Sequence, residues 1–329
     1  MLASVVIPAR NAEKTLRYCL EAALNQSISK PYEVIVVDDG STDKTPQIAA
    51  EYPVRLLQQP KLGPAAARNL GARCAKGRIL VFLDSDCIPK KNWLHSLLSL
   101  FREENVAGVG GPYETANPES WLARLIGYEL ALKHANMPRY VDYLGGFNCA
   151  YRREIFERIG GFDESFTEAS GEDNDLSYRV VEAGYKLAFC HEAIVAHYHP
   201  TSLKSYLKKQ FKRAYWRIKL YKKHPRKIGG DVYARMFSPI AQVALCGITI
   251  ITFAVGPLIN LICWLFTLAL ALALIMFHLP FTVRAYKRFK DKTVLLAPFV
   301  FAMRGFSWTL GFVVGILKFG LPRLGRLKS

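Results

Sequence analysis

Residues Arg78–Cys87, with the sequence RILVFLDSDC, decide the fold of this chain. Ile79 to Leu83 form an apolar run with the length and the β-branched and aromatic character of a strand buried on both faces. The run ends in Asp84-Ser85-Asp86. In open α/β sheets, ligands bind at the carboxyl ends of the strands, where such carboxylates suit a hard divalent cation that also binds phosphate oxygens. Taken alone, the same residues also fit a solvated turn before a helix.

The segments on both sides of this run alternate between strand and helix patterns. Strand patterns cover residues 3–8, 33–37, 54–57, 79–83 and 106–109, and helix patterns cover residues 12–25, 43–51, 63–75 and 90–102. This order, with its short connections, predicts an α/β fold with a doubly wound, mostly parallel sheet. The ligand crevice should then collect the carboxyl ends of the strands.

Polar residues follow the first two predicted strands as well. The first strand leads into Pro8-Ala9-Arg10-Asn11, and the second leads into Asp38-Asp39-Gly40-Ser41-Thr42-Asp43. Ser, Thr and Asp also favour turns and helix N-caps, so the second segment alone fits either a binding loop or a cap.

Six segments carry a resemblance to a known family: VVIPARN, EVIVVDDGSTD, GPAAARNLGA, ILVFLDSDC, GGFNCAYRREIFERIGGFDE and GEDNDLSYR. In this order and spacing they resemble the family-2 inverting glycosyltransferases, which have a GT-A type nucleotide-sugar fold. The resemblance covers residues 3–217. Each segment alone is a weak signal, whereas the six together are specific.

The resemblance implies a donor site and a metal site. It implies that Pro8 and Arg10 edge the nucleotide pocket, that Asp38 and Asp39 hold the base and ribose, that Arg68 lies near the diphosphate, and that Asp84 and Asp86 form the metal-binding D-x-D. The nucleoside diphosphate gains negative charge as the sugar bond breaks. A divalent metal, Mn²⁺ or Mg²⁺, can stabilise that charge as a Lewis acid.

The resemblance also implies an acceptor side and a catalytic base. Asp173 is the expected general base, because the Asp of the Glu-Asp pair has this role in the family. Glu172 and the segment with Gly145, Gly146 and Asn148 are expected on the acceptor side. Acidic residues also favour the first turn of a helix through its dipole, which is an alternative account of Glu172-Asp173.

A histidine after the last short strand is a further candidate metal ligand. The strand pattern of residues 193–196 continues into His197-Tyr198-His199-Pro200. Neutral imidazole is a competent metal ligand, and by position we expect His197 to bind, with His199 as the second choice. A surface pair of histidines in a turn before Pro200 is the alternative.

Residues 201–230 contain eleven Lys or Arg residues and no acid. Apolar residues recur there at helical spacing, which predicts an amphipathic helix with a basic flank. Before an apolar segment, this pattern favours an interfacial helix on an anionic membrane surface over nucleic-acid binding or a solvated face whose stripe packs on the domain. Gln210 and Arg213 resemble the Gln-x-x-Arg-Trp motif of processive members, but Trp216 is displaced by two residues.

The C-terminal third is expected to be a membrane domain. No Lys, Arg, Asp or Glu occurs from Met236 to Val283, which is long enough for two spans with a turn at Gly256-Pro257. Thr293 to Leu317 carries one charge, Arg304, and either spans fully or bends at Arg304-Gly305. The basic loop between Phe281 and Lys292 should be cytosolic by the positive-inside tendency.

These patterns together predict a multi-pass protein of the cytoplasmic membrane. We expect a cytosolic GT-A domain over residues 1–200, a basic interfacial helix over 201–230, and two to three transmembrane helices over 236–320. The expected reaction is inverting, metal-dependent sugar transfer from a nucleotide-diphosphate sugar to a membrane lipid or lipid-linked glycan acceptor, with no nucleic-acid partner. The alternatives are a processive polysaccharide synthase and a non-catalytic, nucleotide-binding membrane scaffold.

Overall fold

The computed structural model describes residues 2–228, 230, 237–259 and 261–321, with the backbone alone for 237–240, 255–259 and 261–263. The chain folds as two compact units. Unit 1 contains the chain up to Asn117 together with Lys133–His199, and unit 2 contains Pro118–Leu132 together with the chain from Pro200 onward. Residue 236, the predicted start of the membrane domain, lies outside the described residues.

Unit 1 is built on two sheets. Their strands, in chain order, are β1 (Ala3–Ala9), β2 (Tyr32–Asp39), β3 (Arg55–Gln59), β4 (Ile79–Leu83), β5 (Cys87–Pro89), β6 (Val106–Gly110), β7 (Tyr113–Thr115), β8 (Tyr140–Val141), β9 (Asn148–Arg152), β10 (Lys186–Phe189) and β11 (Val195–His197). Eight strands form the main sheet, in the spatial order β3-β2-β1-β4-β9-β6-β10-β8. The other three form a small sheet in the order β5-β11-β7.

Strand β4 lies in the interior of the main sheet, as its sequence predicts. All five of its residues are buried, and it pairs with β1 in parallel and with β9 antiparallel. Two further pairs, β6 with β9 and β8 with β10, are also antiparallel. The doubly wound α/β fold is confirmed, but the sheet is more mixed than predicted, because β9 lies between β4 and β6.

The direction of β9 has a consequence for the carboxyl end of β4. Because the two strands are antiparallel, Asn148 at the start of β9 pairs with Leu83 at the end of β4. The segment that precedes β9 therefore arrives beside Asp84, whose backbone N–H donates to the carbonyl of Phe147 at 3.3 Å. The sequence contained no strand pattern that predicted this approach.

Six helices complete unit 1: α1 (Leu16–Leu24), α2 (Thr45–Ala50), α3 (Pro64–Cys74), α4 (Trp93–Ser99), α6 (Arg153–Ile159) and α7 (Glu172–Glu182). Helix α1 begins four residues later than predicted. The backbone of Asn11 has a positive φ of 50°, and the backbone N–H of Ala12 donates to the hydroxyl of Thr45 at 2.7 Å. Residues 13–15 form a turn before the helix begins, and the bond from Ala12 ties this segment to the start of α2.

Unit 2 is helical. Its helices are α5 (Trp121–His134), whose last two residues belong to unit 1, α8 (Leu203–Lys223), α9 (Phe237–Ile259), α10 (Leu261–Phe277), α11 (Leu279–Phe289) and α12 (Ala297–Phe319). The predicted turn at Gly256-Pro257 is wrong, because α9 continues to Ile259. Most of the predicted basic loop is helix α11. Helix α12 is continuous through Arg304-Gly305, which favours the alternative of a full span.

Helices α8 and α12 pack closely against each other within unit 2. A Cβ atom on Gly311 would lie 2.4 Å from the carbonyl oxygen of Phe211, and one on Gly315 would lie 2.7 Å from that of Tyr215. The backbones can approach this closely because both positions are glycine. The apolar stripe of α8 therefore faces protein, whereas its basic residues Lys204, Lys208, Lys209 and Arg213 are exposed.

The surface of unit 2 is unusually apolar. Among the exposed large hydrophobic residues of the described chain, all but four lie between Ile248 and Leu321. Two helical stretches, Trp264–Phe289 and Lys292–Phe319, are long and apolar enough to cross a membrane, and the apolar stretch Ala241–Ala254 is shorter. An exposed apolar surface of this extent marks a site of interaction with lipid or protein.

Candidate active site

Asp84 and Asp86 lie at the carboxyl end of β4 and are both half-buried. Oδ1 of Asp84 accepts a hydrogen bond from Arg68 Nη2 at 2.7 Å. Asp86 is tied to β11 through its backbone carbonyl, which accepts from the N–H of Tyr198 at 3.0 Å. The two carboxylates predicted as the D-x-D therefore have different surroundings, since Asp84 forms an ion pair with Arg68 and Asp86 lies beside His197.

Arg68, on α3, is 2% exposed and lies between two carboxylates. Besides the contact with Asp84, its Nη1 donates to Oε1 of Glu172 at 2.9 Å. Although burial alone would lower the pKa of Arg68, the carboxylates of Asp84 and Glu172 raise it above its ordinary value. Arg68 is therefore a buried cation, and each of its two terminal nitrogens donates a hydrogen bond to a carboxylate.

Glu172 is the first residue of α7 and is almost completely buried. Burial raises the pKa of Glu172 to about 7, and the charge of Asp173 adds to this shift. Arg68 opposes the shift, but its charge is shared with Asp84 and only partly offsets the cost of burying the carboxylate.

Asp173 is the one acidic residue in the first turn of α7 that is not fully buried. Its Oδ2 accepts hydrogen bonds from the hydroxyl of Tyr143 at 2.9 Å and from the backbone N–H of Gly146 at 3.1 Å. Asp175 is fully buried and forms an ion pair with Arg179 at 2.8 Å. Asp173 is thus the member of this turn that a second reactant could reach.

The predicted acceptor-side residues divide into two kinds. Gly145 and Gly146 lie beside Asp173, and a Cβ atom on Gly146 would lie 3.2 Å from Arg68 Cζ. Asn148 is fully buried, accepts from Trp93 Nε1 at 2.7 Å and donates to the carbonyls of Pro112 and Ala193. Its side chain holds the strands in position and is not at the surface.

Asp38 and Asp39, which are expected to hold the base and ribose of the nucleotide, lie at the end of β2 with both side chains buried. Both oxygens of Asp39 accept from the backbone N–H of Gly63, at 3.1 and 3.0 Å, and Oδ1 also accepts from the N–H of Leu62. Gly63 has a positive φ of 102°, which favours glycine. In this state, Asp39 fixes the loop before α3.

An open cleft of about 490 Å³ lies between the ends of β1, β2 and β4. Its lining includes Arg10, Thr42, Asp43, Ser85, Asp86 and Tyr198. Arg10 is exposed and Pro8 is half-buried at the same strand end. The cleft thus joins the predicted nucleotide edge to Asp86, the second carboxylate of the D-x-D.

His197 is the last residue of β11 and lies next to Asp86. Its Nε2 is 3.5 Å from Asp86 Oδ1, and its Nδ1 is 3.1 Å from Nδ1 of His199. The Cys87 Sγ belongs to the same cluster, in which all ligand atoms lie within 4.8 Å of one another. Burial raises the pKa of the Cys87 thiol well above its usual range. Carboxylate oxygen and imidazole nitrogen suit Mg²⁺ or Mn²⁺ better than a thiol does.

Sequence reasoning missed two aromatic residues of the site. Tyr143 bonds to Asp173, and the ring of Tyr113 stacks on His197 with centroids 5.3 Å apart. Neither residue lies in one of the quoted motifs. Tyr143 precedes Gly145-Gly146 by two residues, and this proximity was the one signal that could have found it.

A mixed α/β sheet with an open cleft at the carboxyl ends of its strands and paired acids at the end of β4 is typical of enzymes that bind a ligand at this edge of the sheet. Residues 4–160 match the family "Glycosyl transferase family 2", and residues 128–201 match "N-terminal domain of galactosyltransferase". The chain belongs to glycosyl transferase family 2 and is a glycosyltransferase.

Curated relatives support this assignment. The chain is 34% identical over 219 residues to the glycosyltransferase AglE of Haloferax volcanii, a match that covers 64% of this chain and 70% of that protein. It is 33% identical over 209 residues to the O-antigen chain rhamnosyltransferase WbaN of Salmonella anatum, covering 60% and 66%. The match to the pre-mycofactocin glycosyltransferase of Mycobacterium tuberculosis covers 44% of that protein, at 35% identity.

Solved structures confirm the fold. The mannosyltransferase PcManGT of Pyrobaculum calidifontis, determined with GDP-Man and Mn²⁺, superposes with a TM-score of 0.66 at 20% identity, covering 94% of this chain and 86% of that one. GalNAc-T7, determined with UDP, GalNAc and Mn²⁺, gives a TM-score of 0.51 at 20% identity, covering 68% and 50%.

Proposed function

We propose that this glycosyltransferase moves a sugar, with inversion at its anomeric carbon, from a nucleotide-diphosphate sugar to a lipid-linked acceptor at a membrane. The observation that carries the proposal is the accessible carboxylate of Asp173, held beside Gly146 and on the same sheet edge as Asp84. Inverting transfer needs a base on the face of the sugar opposite the leaving group. The cleft at Arg10 and Asp86 is where the donor diphosphate would bind.

The residues present fit a divalent cation. Asp86 and His197 offer a carboxylate oxygen and an imidazole nitrogen 3.5 Å apart, and Asp84 retains an oxygen that Arg68 does not bind. Carboxylates suit Mg²⁺ and Mn²⁺, and two structural neighbours were determined with a nucleotide ligand and Mn²⁺. When bound, such an ion supplies Lewis-acid stabilisation of the diphosphate leaving group.

This chain's own residues would do the remaining work. Tyr143 and the N–H of Gly146 orient the Asp173 carboxylate, which takes the proton from the acceptor hydroxyl as the new bond forms. Glu172 and Asp175 are less suited to be the base, because both are buried and paired with arginines.

The membrane-associated acceptor is supported by unit 2. Its exposed apolar helices suit a bilayer, and the basic residues of α8 suit an anionic surface on the cytosolic side. One relative is named for transfer to O-antigen chains, which supports an acceptor in glycan synthesis. We therefore propose a multi-pass protein of the cytoplasmic membrane with a cytosolic catalytic unit.

Two of the residues compared with the processive motif, Gln210 and Trp216, are engaged in helix packing, whereas Arg213 is exposed. Gln210 accepts a hydrogen bond from Trp308 Nε1 at 2.9 Å, and the Trp216 ring lies 5.7 Å from that of Phe319. These contacts account for both side chains within unit 2, so they lend no support to a processive synthase.

The test uses the purified full chain in detergent or nanodiscs with Mn²⁺ and a panel of UDP-, GDP- and deoxythymidine-diphosphate sugars. The nucleotide sugar that releases its nucleoside diphosphate is the donor. Adding membrane lipid extract then shows whether sugar transfer to lipid exceeds hydrolysis of the donor. The anomeric configuration of the product, read by NMR, should be opposite to that of the donor. Retained configuration would overturn the inverting mechanism, and transfer to soluble acceptors alone would overturn the lipid-linked acceptor.

A further inference from the structure

The guanidinium of Arg68 lies where three parts of the active site meet. Nη2 bonds to Asp84 at 2.7 Å, at the end of β4, and Nη1 bonds to Glu172 at 2.9 Å, at the start of α7. Its third neighbour is Gly146, where a Cβ atom would lie 3.2 Å from Cζ and Nη2. The Arg68 side chain therefore contacts three segments. These are the end of β4, which carries the D-x-D acids, the start of α7, which carries the proposed base Asp173, and the loop at Gly146, whose backbone N–H bonds to Asp173.

The fourth side of the guanidinium is also closed. Its Cζ lies 5.4 Å from the centroid of the Phe162 ring, within the range of a cation–π contact. With 2% of its surface exposed, Arg68 has no face toward the cleft that could receive a diphosphate. The implied role of Arg68 as a residue near the diphosphate is thus not one of direct binding in this state.

The charges explain why this arrangement is specific to arginine. The two carboxylates, at 2.7 and 2.9 Å, bind two separate terminal nitrogens of one planar guanidinium, whereas a lysine ammonium would have to reach both carboxylates from a single nitrogen. Leaving either carboxylate without its partner in a buried site would carry a large desolvation cost.

We infer that Arg68 is a positioning residue, which fixes the distance between the D-x-D carboxylate Asp84 and the base Asp173 through Glu172 and Gly146. Arg68 is linked to Asp173 through two residues. Glu172, which Arg68 binds, precedes Asp173 on α7, and Gly146, which Arg68 also contacts, donates its backbone N–H to Asp173 Oδ2 at 3.1 Å. This inference rests on the proposed function, because it assigns those two acids to the metal and the base.

The experiment compares Arg68→Lys and Arg68→Gln with the unsubstituted full chain. Misplacing reacting groups by about 1 Å can cost roughly 10²-fold in rate, so we expect turnover of the donor to fall by about that factor. The affinity for UDP or GDP in saturating Mn²⁺, measured by calorimetry, should change less than about threefold, because the guanidinium does not face the cleft. A direct diphosphate ligand would give the reverse pattern, a large loss of affinity, and that result would overturn the inference.

Two further variants separate positioning from simple folding. Arg73→Gln on the same helix is the matched control, since Arg73 is exposed and should leave turnover and affinity unchanged. The double variant Arg68→Gln/Glu172→Gln should be no slower than the slower single variant, because both act on the same contact. Multiplied losses in the double variant would show that Arg68 and Glu172 act separately and would contradict the inference.

Gly146→Ala tests the contact between Gly146 and Arg68 without replacing the arginine. It therefore gives a result even if the Arg68 variants fail to fold. The added methyl group should press on the guanidinium and lower turnover while sparing nucleotide affinity; unchanged turnover would contradict the inference. Asp173→Asn distinguishes the two proposals. If Asp173→Asn retains full turnover, the proposed base is wrong; if Asp173→Asn is slow and the folded Arg68 variants are not, the positioning role alone is wrong.

Discussion

Tyr143 donates the hydrogen of its hydroxyl to Oδ2 of Asp173 at 2.9 Å, and the same oxygen accepts from the backbone N–H of Gly146. With two donors on one oxygen, the carboxylate has a fixed orientation. The other oxygen, Oδ1, accepts from the backbone N–H of Asn174 at 2.9 Å. Asp173 is therefore placed by its surroundings before any acceptor arrives, which is the arrangement that general-base catalysis requires.

Asp173→Asn should lower turnover by at least about 10²-fold and leave donor affinity unchanged, because the amide keeps the size but cannot take the proton. Tyr143→Phe should have a smaller effect of the same kind, since it removes one orienting hydrogen bond. Steady-state kinetics gives turnover, and calorimetry with the nucleoside diphosphate gives affinity. Near-normal turnover of Asp173→Asn would place the base elsewhere.

Donor binding should depend on a divalent cation held by Asp86 and His197. Without the cation, the diphosphate would meet the Asp84 and Asp86 carboxylates with little to offset their charge. EDTA, Asp86→Ala and His197→Ala should each weaken UDP or GDP binding, and EDTA should abolish transfer until Mn²⁺ or Mg²⁺ is restored. His95→Ala, outside this cluster, is the control. Unchanged nucleotide affinity in EDTA would count against a metal at this site.

The pH dependence of stability should contain a contribution from Glu172. Its pKa in the folded state is about 7, above the ordinary value of 4.5, so folding favours the protonated form. The stabilising contribution is therefore present at low pH and is lost as the pH rises from 4.5 through about 7. The melting temperature of Glu172→Gln, relative to the unsubstituted protein, should rise with pH between about 5 and 8. The exposed Glu154→Gln should show a constant difference, and the same constancy in Glu172→Gln would contradict the prediction.

Within unit 2, Arg304 on α12 donates through Nη1 to both oxygens of Glu129 on α5, at 2.9 and 2.8 Å. Both side chains are largely buried, and removing one partner of such a pair costs about 3–5 kcal/mol. Arg304→Met or Glu129→Leu alone should lower the thermal transition strongly, and the double variant should recover part of the loss. Breaking the exposed pair Arg17–Glu51 should have little effect. Equal effects at both pairs would contradict the prediction.

The exposed basic residues of α8 should lie near anionic lipid headgroups. A fluorophore on Lys208→Cys or Arg213→Cys, in nanodiscs, should be quenched by a spin label on anionic headgroups more than a fluorophore on Lys30→Cys of unit 1. The difference should shrink with added salt, since the attraction is screened over about 8 Å at physiological ionic strength. Equal quenching at all three positions would mean that this face of α8 serves another partner.

The sequence predicted the fold best around its buried central strand. The apolar run from Ile79 to Leu83 predicted a central strand, and the quoted motifs predicted the family and the GT-A fold. Local patterns could not predict the antiparallel course of β9, because four of its five residues are buried by neighbours that lie far away in the sequence. For the same reason, the contacts of Arg68 with Asp84 and Glu172 were not predictable, although each residue lay in a recognised motif.

In unit 2, the sequence predicted the amphipathic character of α8 but not what its apolar face would contact. The pattern favoured an interfacial helix whose apolar stripe faces the membrane, whereas Tyr206 and Ile218 of that stripe are buried within unit 2. An apolar stripe indicates that one face of a helix is buried, but it does not identify the element that covers that face, which here is helix α12. The side chain of Arg304 shows the same limit, because its partner Glu129 comes from a segment 175 residues away.

The discontinuity of unit 2 has a practical consequence for anyone who wishes to produce the catalytic part alone. A chain cut before Pro200 would still carry residues 118–132, whose apolar side chains Leu122, Leu125 and Ile126 pack with Ala297, Val300 and Phe301 in the intact protein. Freed of those neighbours, α5 would expose a hydrophobic face and the fragment should aggregate. A soluble version would require redesign of that face with polar residues as well as removal of the C-terminal helices.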